Sequence, residues 1–192
     1  AMPVHVIDSL FFRDLYGSAS MRAVFDDLTL LQKWLDYEAA LARAEAALGL
    51  VPAEAAAEIT RQAKAEHIDI AAIKHGVDET VHPLVALIWQ LSERCDGSAG
   101  RYVHWGATTQ DVMDTALILQ IKDAYPLFES GLSDLIDAAA TLALRHRDTL
   151  MAGRTHGQQA LPITFGFKVA VWVAELERHQ ERLTACKPRV LI

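Results

Sequence analysis

The sequence predicts an all-α fold. Several segments carry apolar residues at helical spacing, and no segment alternates apolar and polar residues long enough to form a half-buried strand. The composition, 52% hydrophobic with ten glycines and six prolines in 192 residues, supplies the core that long helices need and suits one or two domains.

In the first helix, Leu31, Trp34, Leu35, Leu41, Ala42 and Leu48 line one apolar stripe. Asp26 and Asp27 stand near its start and Gly49 at its end, as the helix dipole and a left-handed cap would favour. Pro52 starts a second helix at its first position, where the missing N–H costs nothing, and the alanine-rich stretch through Ala65 has high helix propensity. A short helix is expected from Ile70 to Lys74. After His82-Pro83, the run Leu84, Val85, Leu87, Ile88 and Leu91 reads as a buried helix that the turn Asp96-Gly97-Ser98 and Gly100 stop. This turn is the expected domain boundary, with an N-terminal helical domain over 1–95 and the first part of a central helical bundle over 96–192.

From about Thr109 to about Thr149 the pattern stays helical for longer than an ordinary globular helix, which points to a bundle helix. Its apolar positions are Val112, Ala116, Leu119, Leu127, Leu132, Leu135, Ile136, Ala139 and Leu142. Pro126 is expected to kink it, because the ring crowds the Lys122 carbonyl. A connection over Met151 to Leu161 leads to Phe165, Val169, Trp172, Leu176, His179 and Leu183. These recur at four- and three-residue steps, the seam of a second bundle helix, with Pro162 near its N-terminus. Two such helices leave apolar faces for further helices or other subunits to cover. The apolar ending Pro188-Arg-Val-Leu-Ile192 suits a natural protein that continues, and the leading Ala1-Met2 suits a cloning scar.

Charge and cysteine usage narrow the function classes. A net charge of −7 without a basic run opposes binding to nucleic acid or to an anionic membrane. No apolar run reaches the eighteen or so residues of a span, and no signal sequence opens the chain. Cys95 and Cys186 form no C-x-x-C pair, so neither a disulfide framework nor a thiolate zinc site is expected, and the cytoplasm is the natural compartment.

Two constellations could carry chemistry. The first, His104-Trp-Gly-Ala-Thr-Thr-Gln-Asp111, lies where a loop enters the long helix. Free N–H groups and the positive helix end converge there, and the Thr108 and Thr109 hydroxyls add donors for a carboxylate or phosphate. The same residues would also serve as a plain helix cap. The second, Gly153-Arg-Thr-His-Gly-Gln158, packs a cation, a hydroxyl, an imidazole and an amide into one loop. Arg154 could fix an anion through its planar fork and His156 could move a proton near neutral pH, although either could be structural. His82 stands out for preceding Pro83 at the start of an apolar helix; His5, His67, His75, His146 and His179 fall on polar faces or rims. No H-x-x-x-H spacing, phosphate loop or nucleophile elbow is present, so no metal and no cofactor are expected.

Taken together these residues resemble the adenylosuccinate lyase and 3-carboxy-cis,cis-muconate lactonizing branch of the fumarase/aspartase superfamily, across nearly the whole chain. Tyr16-Gly-Ser, Met21, Phe25 and Trp34-Leu-Asp-Tyr-Glu-Ala-Ala-Leu41 through Pro52 look like its first helical segment. Asp78-Glu-Thr-Val-His82 resembles the stretch that holds an active-site histidine. Val103 to Asp111 with Asp114-Thr115, and Gly153 to Gln158 through Gly166, resemble its first two signature regions.

The resemblance implies elimination beside a carboxylate through an aci-carboxylate intermediate, usually with release of fumarate. His156 matches the general acid and His82 its histidine partner. Thr108, Thr109 and Gln110 match the carboxylate-binding loop, with Arg154, Thr155 and Tyr16 as further substrate contacts. The family's catalytic base is a serine on a later loop, beyond residue 192, and its active sites are built from three subunits of a homotetramer. The chain alone is therefore expected to be inactive, and its substrate to be a small anionic dicarboxylate.

Leu15 and Val81 stand where adenylosuccinate lyases carry arginine, and Pro83 where they carry aspartate. The wording His-Trp-Gly-Ala-Thr favours the muconate enzymes, many of which lack the histidine at 156. The expected function is thus a fumarate-releasing, adenylosuccinate lyase-like enzyme, with the muconate cycloisomerase as the alternative. A non-catalytic helical oligomerisation module would account for the helices but not for the two motifs.

Overall fold

The computed structural model describes residues 5–191. The Ala1-Met2 start and the final Ile192 lie outside the described residues. The chain is mostly helical and divides into two compact units, one through Ile121 and one from Lys122 onward.

The first unit begins with short helices α1 (Arg13–Tyr16) and α2 (Ala19–Val24), followed by α3 (Asp27–Ala47). The Asp26 side chain caps α3 by accepting from Thr29 N at 2.7 Å, one of the N–H groups a helix cannot satisfy itself. Leu31, Leu35, Ala39 and Ala42 form the buried stripe. Leu48 falls beyond the last turn and is exposed, since Gly49 at φ 74° ends the helix there. Pro52 is the N-cap of α4 (Ala53–Gln62), one position earlier than expected, and the helix stops three residues before Ala65. The stop has a cause on α3. Gln32 donates to the Ala63 carbonyl at 3.1 Å and accepts from Ala65 N at 2.8 Å, holding that backbone out of helix.

Helix α5 (Ile70–Thr80) is longer than the expected turn at Ile70 to Lys74. It begins at an Asp69 cap that accepts from Ala71 N and Ala72 N, and it continues through Gly76, which packs against α6 (Val85–Arg94). A Cβ on Gly76 would lie 2.4 Å from the Ala86 Cβ, so the bare glycine is what lets the two helices meet. Ile59, Leu84, Leu87, Leu91 and Val112 complete the core with Leu35. Each such side chain contributes roughly 1.5–3 kcal/mol by burial.

Helix α7 (Thr109–Arg145) is 37 residues long and continues past Pro126. Val112, Ala116 and Gln120 are its buried positions in the first unit, and Gln120 Nε2 donates to the Val24 carbonyl at 2.9 Å.

In the second unit the remainder of α7 packs against α8 (Phe165–Val190). The Tyr125 hydroxyl donates to the Leu183 carbonyl, and Lys187 Nζ reaches both Glu129 oxygens at 3.0 and 3.1 Å. The stretch expected as a simple connection is instead a hairpin of β1 (Leu150–Thr155) and β2 (Gln158–Thr164), the one departure from the all-α reading among the described residues. Both strands are largely exposed, so no buried face imposes the apolar alternation that would reveal a strand in sequence. Pro162 lies in β2 opposite Ala152, not at the helix start. Thr164 caps α8 instead, accepting from Phe167 N at 3.1 Å.

Candidate active site

In the first unit three chain segments meet around His82. Helix α5 ends at Val81, whose backbone is left-handed at φ 55° and whose N–H donates to the Val77 carbonyl. That turn reverses the chain, and His82 N donates to Thr80 Oγ1 at 3.2 Å. The imidazole then extends to the first residue of α7, where Nε2 lies 2.9 Å from Thr109 Oγ1. His82 Nδ1 is buried with no hydrogen-bond partner, a costly state for a polar atom unless a ligand or water completes it.

A cavity of about 270 Å³ opens beside this pair, walled by His82, His104 and Thr109 on its polar side and by Leu84, Ile88 and Trp89 on its apolar side. His104, also left-handed at φ 59°, is held through Nδ1 by Glu38 Oε1 at 2.7 Å. Glu38 belongs to α3 and is 1% exposed. Burial pushes its carboxyl above the usual range, and the His104 contact acts in the opposite direction. Seven residues along the same helix Glu45 is buried, and burial raises it too. Tyr37 is raised by burial and then by the charges of Asp111, Glu38 and Glu45.

At the α7 N-terminus Asp111 Oδ2 accepts from Thr108 N at 3.0 Å, half of a reciprocal helix cap. The Thr108 side chain is exposed, and Gln110 Nε2 donates to Asp114 Oδ1 at 2.6 Å. The structure thus joins His82 to Thr109 and leaves Thr108 beside them. Gln110 is turned to its own helix, and Tyr16 sits on α1, 62% exposed and away from the cavity wall.

The second unit holds Arg154, Thr155 and His156 at the hairpin tip. Thr155 pairs with Gln158 and Arg154 with Gln159, so His156 and Gly157 are a two-residue loop. Both have positive φ, 50° and 76°, the geometry of a type I′ turn, whose twist matches that of the strands. Behind the tip the register shifts between Ala152 and Arg154. Gly153 is required there, because a Cβ would stand 2.6 Å from the Leu161 carbonyl oxygen. All three candidate side chains are exposed.

Glu38 and His104 as a pair escaped the sequence reading. The signal was present: Leu31, Leu35, Glu38, Ala42 and Glu45 continue one helix face, and an acid on an apolar stripe must find a partner inside. Burial, then the nearby Glu58 charge, pushes the Cys95 thiol up to about 11, the direction that disfavours the reactive thiolate. Among the described residues no cluster of three histidines, cysteines or acids is arranged to hold a metal, and no helix is long and apolar enough to cross a membrane.

The model of a family described as lyase matches residues 17–192. The chain is 44% identical over 191 residues to adenylosuccinate lyase of Methanocaldococcus jannaschii, covering 100% of this chain and 40% of that protein. It is 47% identical over 189 residues to N-acetyl-S-(2-succino)cysteine lyase of Enterococcus italicus, covering 98% and 41%. Among solved structures it superimposes on 3-carboxy-cis,cis-muconate lactonizing enzyme from Pseudomonas putida with a TM-score of 0.90 at 42% identity, covering 94% of this chain and 42% of that one. The chain spans about two fifths of the length of these relatives.

Proposed function

Since the chain belongs to the lyase family of the fumarase/aspartase superfamily, we propose that it supplies acid–base and substrate-binding residues for an elimination that releases fumarate from a succinyl adduct. The observation that carries this reading is the bond from His82 Nε2 to Thr109 Oγ1 at 2.9 Å. It brings two motif segments 27 residues apart onto one cavity at the positive end of a long helix, where a substrate carboxylate is favoured.

In the reaction a base takes the proton on the carbon beside the carboxylate, and the electron pair moves into that carboxylate as an aci-carboxylate. The pair then returns to form the carbon–carbon double bond as the leaving group departs with a proton from His156. The Thr109 hydroxyl and the α7 dipole stabilise the charge that builds on the carboxylate, His82 orders that hydroxyl, and Arg154 holds an anionic group near the acid. The base is placed outside these 192 residues and the working assembly is a homotetramer.

The substrate is a succinyl adduct of the adenylosuccinate type. Leu15 and Val81, both exposed apolar side chains, offer no charge to a nucleotide phosphate. That favours testing the S-succinyl thiol substrate of the Enterococcus italicus relative alongside adenylosuccinate. The muconate cycloisomerase is the second reading, favoured by His104-Trp-Gly-Ala-Thr108 and by the 0.90 superposition. Ultraviolet assays of the full-length protein with adenylosuccinate, N-acetyl-S-(2-succino)cysteine and 3-carboxy-cis,cis-muconate in parallel, each repeated with His156→Ala, test it. Fumarate release that His156→Ala abolishes is the expected result. Muconate lactonization without fumarate release would replace this reading by the second, and turnover untouched by His156→Ala would remove His156 from its role.

A further inference from the structure

A carboxylate 1% exposed on an otherwise apolar helix face needs a physical reason. Desolvating an ion is costly, and a buried ion pair rarely recovers more than an apolar residue of the same size would give. Leucine at 38 would simply extend the stripe of Leu31, Leu35 and Ala42. The Glu38 side chain instead reaches His104 Nδ1 at 2.7 Å while its second oxygen, Oε2, is buried with no partner. The His104 backbone is itself in a left-handed conformation at φ 59°, which a non-glycine residue adopts only at a cost. Two expenditures in one imidazole concern its placement. That imidazole lines the cavity shared with His82 and Thr109.

We infer that Glu38 is a positioning residue for His104, accepting its Nδ1–H so that the ring is fixed in one tautomer and orientation and Nε2 is the nitrogen presented to the cavity. An ionised carboxylate can only accept, which makes Nδ1 the donor. A ring free to flip would offer either nitrogen, whereas one anchored at Nδ1 meets a ligand with Nε2 each time. The histidine then forms a second polar point on the cavity wall, opposite in arrangement to His82, which uses Nε2 for Thr109 and leaves Nδ1 unpartnered. The ligand-facing part of this inference rests on the proposed lyase reading; the anchoring of His104 does not.

The test is long-range proton–nitrogen NMR of the histidine-labelled chain, with fumarate as the probe. In the wild type His104 should show a protonated, hydrogen-bonded Nδ1 and should respond to fumarate at Nε2. Glu38→Met has nearly the same length, suits the apolar surroundings and cannot accept; it should lose that tautomer preference and weaken the fumarate response at His104 about tenfold. Glu38→Gln keeps an accepting oxygen and should retain part of the preference, a graded rescue that mere core packing would not produce. An unprotonated Nδ1 in the wild type would overturn the inference without any variant, as would a folded Glu38→Met protein with an unchanged His104 signature. A wild-type chain that keeps the tautomer but shows no fumarate response at either His82 or His104 would overturn the ligand-facing role and count against the lyase reading, with the anchoring upheld.

Discussion

His156 turns a hairpin and, in the proposed function, also moves a proton, and the two can be separated by substitution. Its φ of 50°, followed by 76° at Gly157, requires a residue that tolerates the left-handed region. Asparagine does so as readily as histidine and precedes glycine in the favoured type I′ pair. His156→Asn should therefore leave the hairpin as stable as before, within about 0.5 kcal/mol. Valine is branched at Cβ and fits that region poorly. His156→Val should cost the hairpin about 1–2 kcal/mol, read as roughly 5–30-fold faster exchange of the hairpin amides. Neither side chain can donate a proton as imidazolium does, so in the proposed role of His156 both variants should lower turnover by the full-length protein about 10²–10⁴-fold. Amide exchange and fumarate release are then measured on the same pair of proteins. Equal protection in the Asn and Val variants would refute the turn argument, and a fully active His156→Asn enzyme would refute the proton-transfer role even with the turn intact.

Three further outcomes follow from the geometry. Thr109→Val removes the only hydrogen bond found for the His82 ring among the described residues and should lower stability in urea by about 1–3 kcal/mol, with Thr109→Ser restoring it; an unchanged midpoint in the Val variant would show that the bond is not maintained. Glu58 accepts from Arg61, Gln62 and Asp96 N, and these bonds lower its carboxyl from 4.5 to about 2. A depressed folded value gives stability that is present above 4.5 and is lost as pH falls toward about 2. Glu58→Gln should thus be less stable than wild type at pH 7, with the difference closing across that window in acid titrations; a gap that persists at the acid end would contradict the assignment. Gly100→Ala would place its Cβ 2.1 Å from the Ser92 carbonyl oxygen, an overpacking worth about 1–3 kcal/mol of lost stability. Gly131→Ala, with nothing within 4 Å, should instead stabilise α7 by about 0.5–1 kcal/mol, and thermal unfolding of the two side by side separates close packing from helix propensity.

The helices were legible because burial leaves a period in the sequence. The stripe of α3, the apolar run of α6 and the length of α7 could all be read from spacing. What spacing could not show were features set by single contacts. Nothing in the composition of Ala63-Lys64-Ala65 opposes a helix; Gln32, about thirty residues earlier, takes its backbone groups. The hairpin was hidden for the opposite reason, since its strands bury almost nothing and only the His156-Gly157 pair announces it. In the site, the bond between His82 and Thr109 joins two segments that were each identifiable, but no local pattern predicts that they touch. Glu38 was visible as an acid on an apolar face, yet its partner His104 lies 66 positions away.

The backbone gives an independent reason to connect these segments with function. Among the described residues the non-glycine positions with positive φ are Val81, His104 and His156. One precedes the candidate histidine His82, and the other two are themselves histidines of the motif segments. Each costs about 1–2 kcal/mol relative to a relaxed backbone, so together they oppose folding by about 3–6 kcal/mol, a substantial fraction of a small domain's net reserve of roughly 5–15 kcal/mol. Glycine at any of the three would relieve the strain, as it does at Gly49, Gly97, Gly106 and Gly157. For His104 and His156 the side chain cannot be given up if the imidazole is needed at that point. For Val81 the gain is orientation: a branched residue held left-handed stiffens the reversal that carries His82 to Thr109, whereas glycine would leave that step loose. Strain at these turns, and not within the long helices, fits the roles proposed for His82, His104 and His156, each in its own unit.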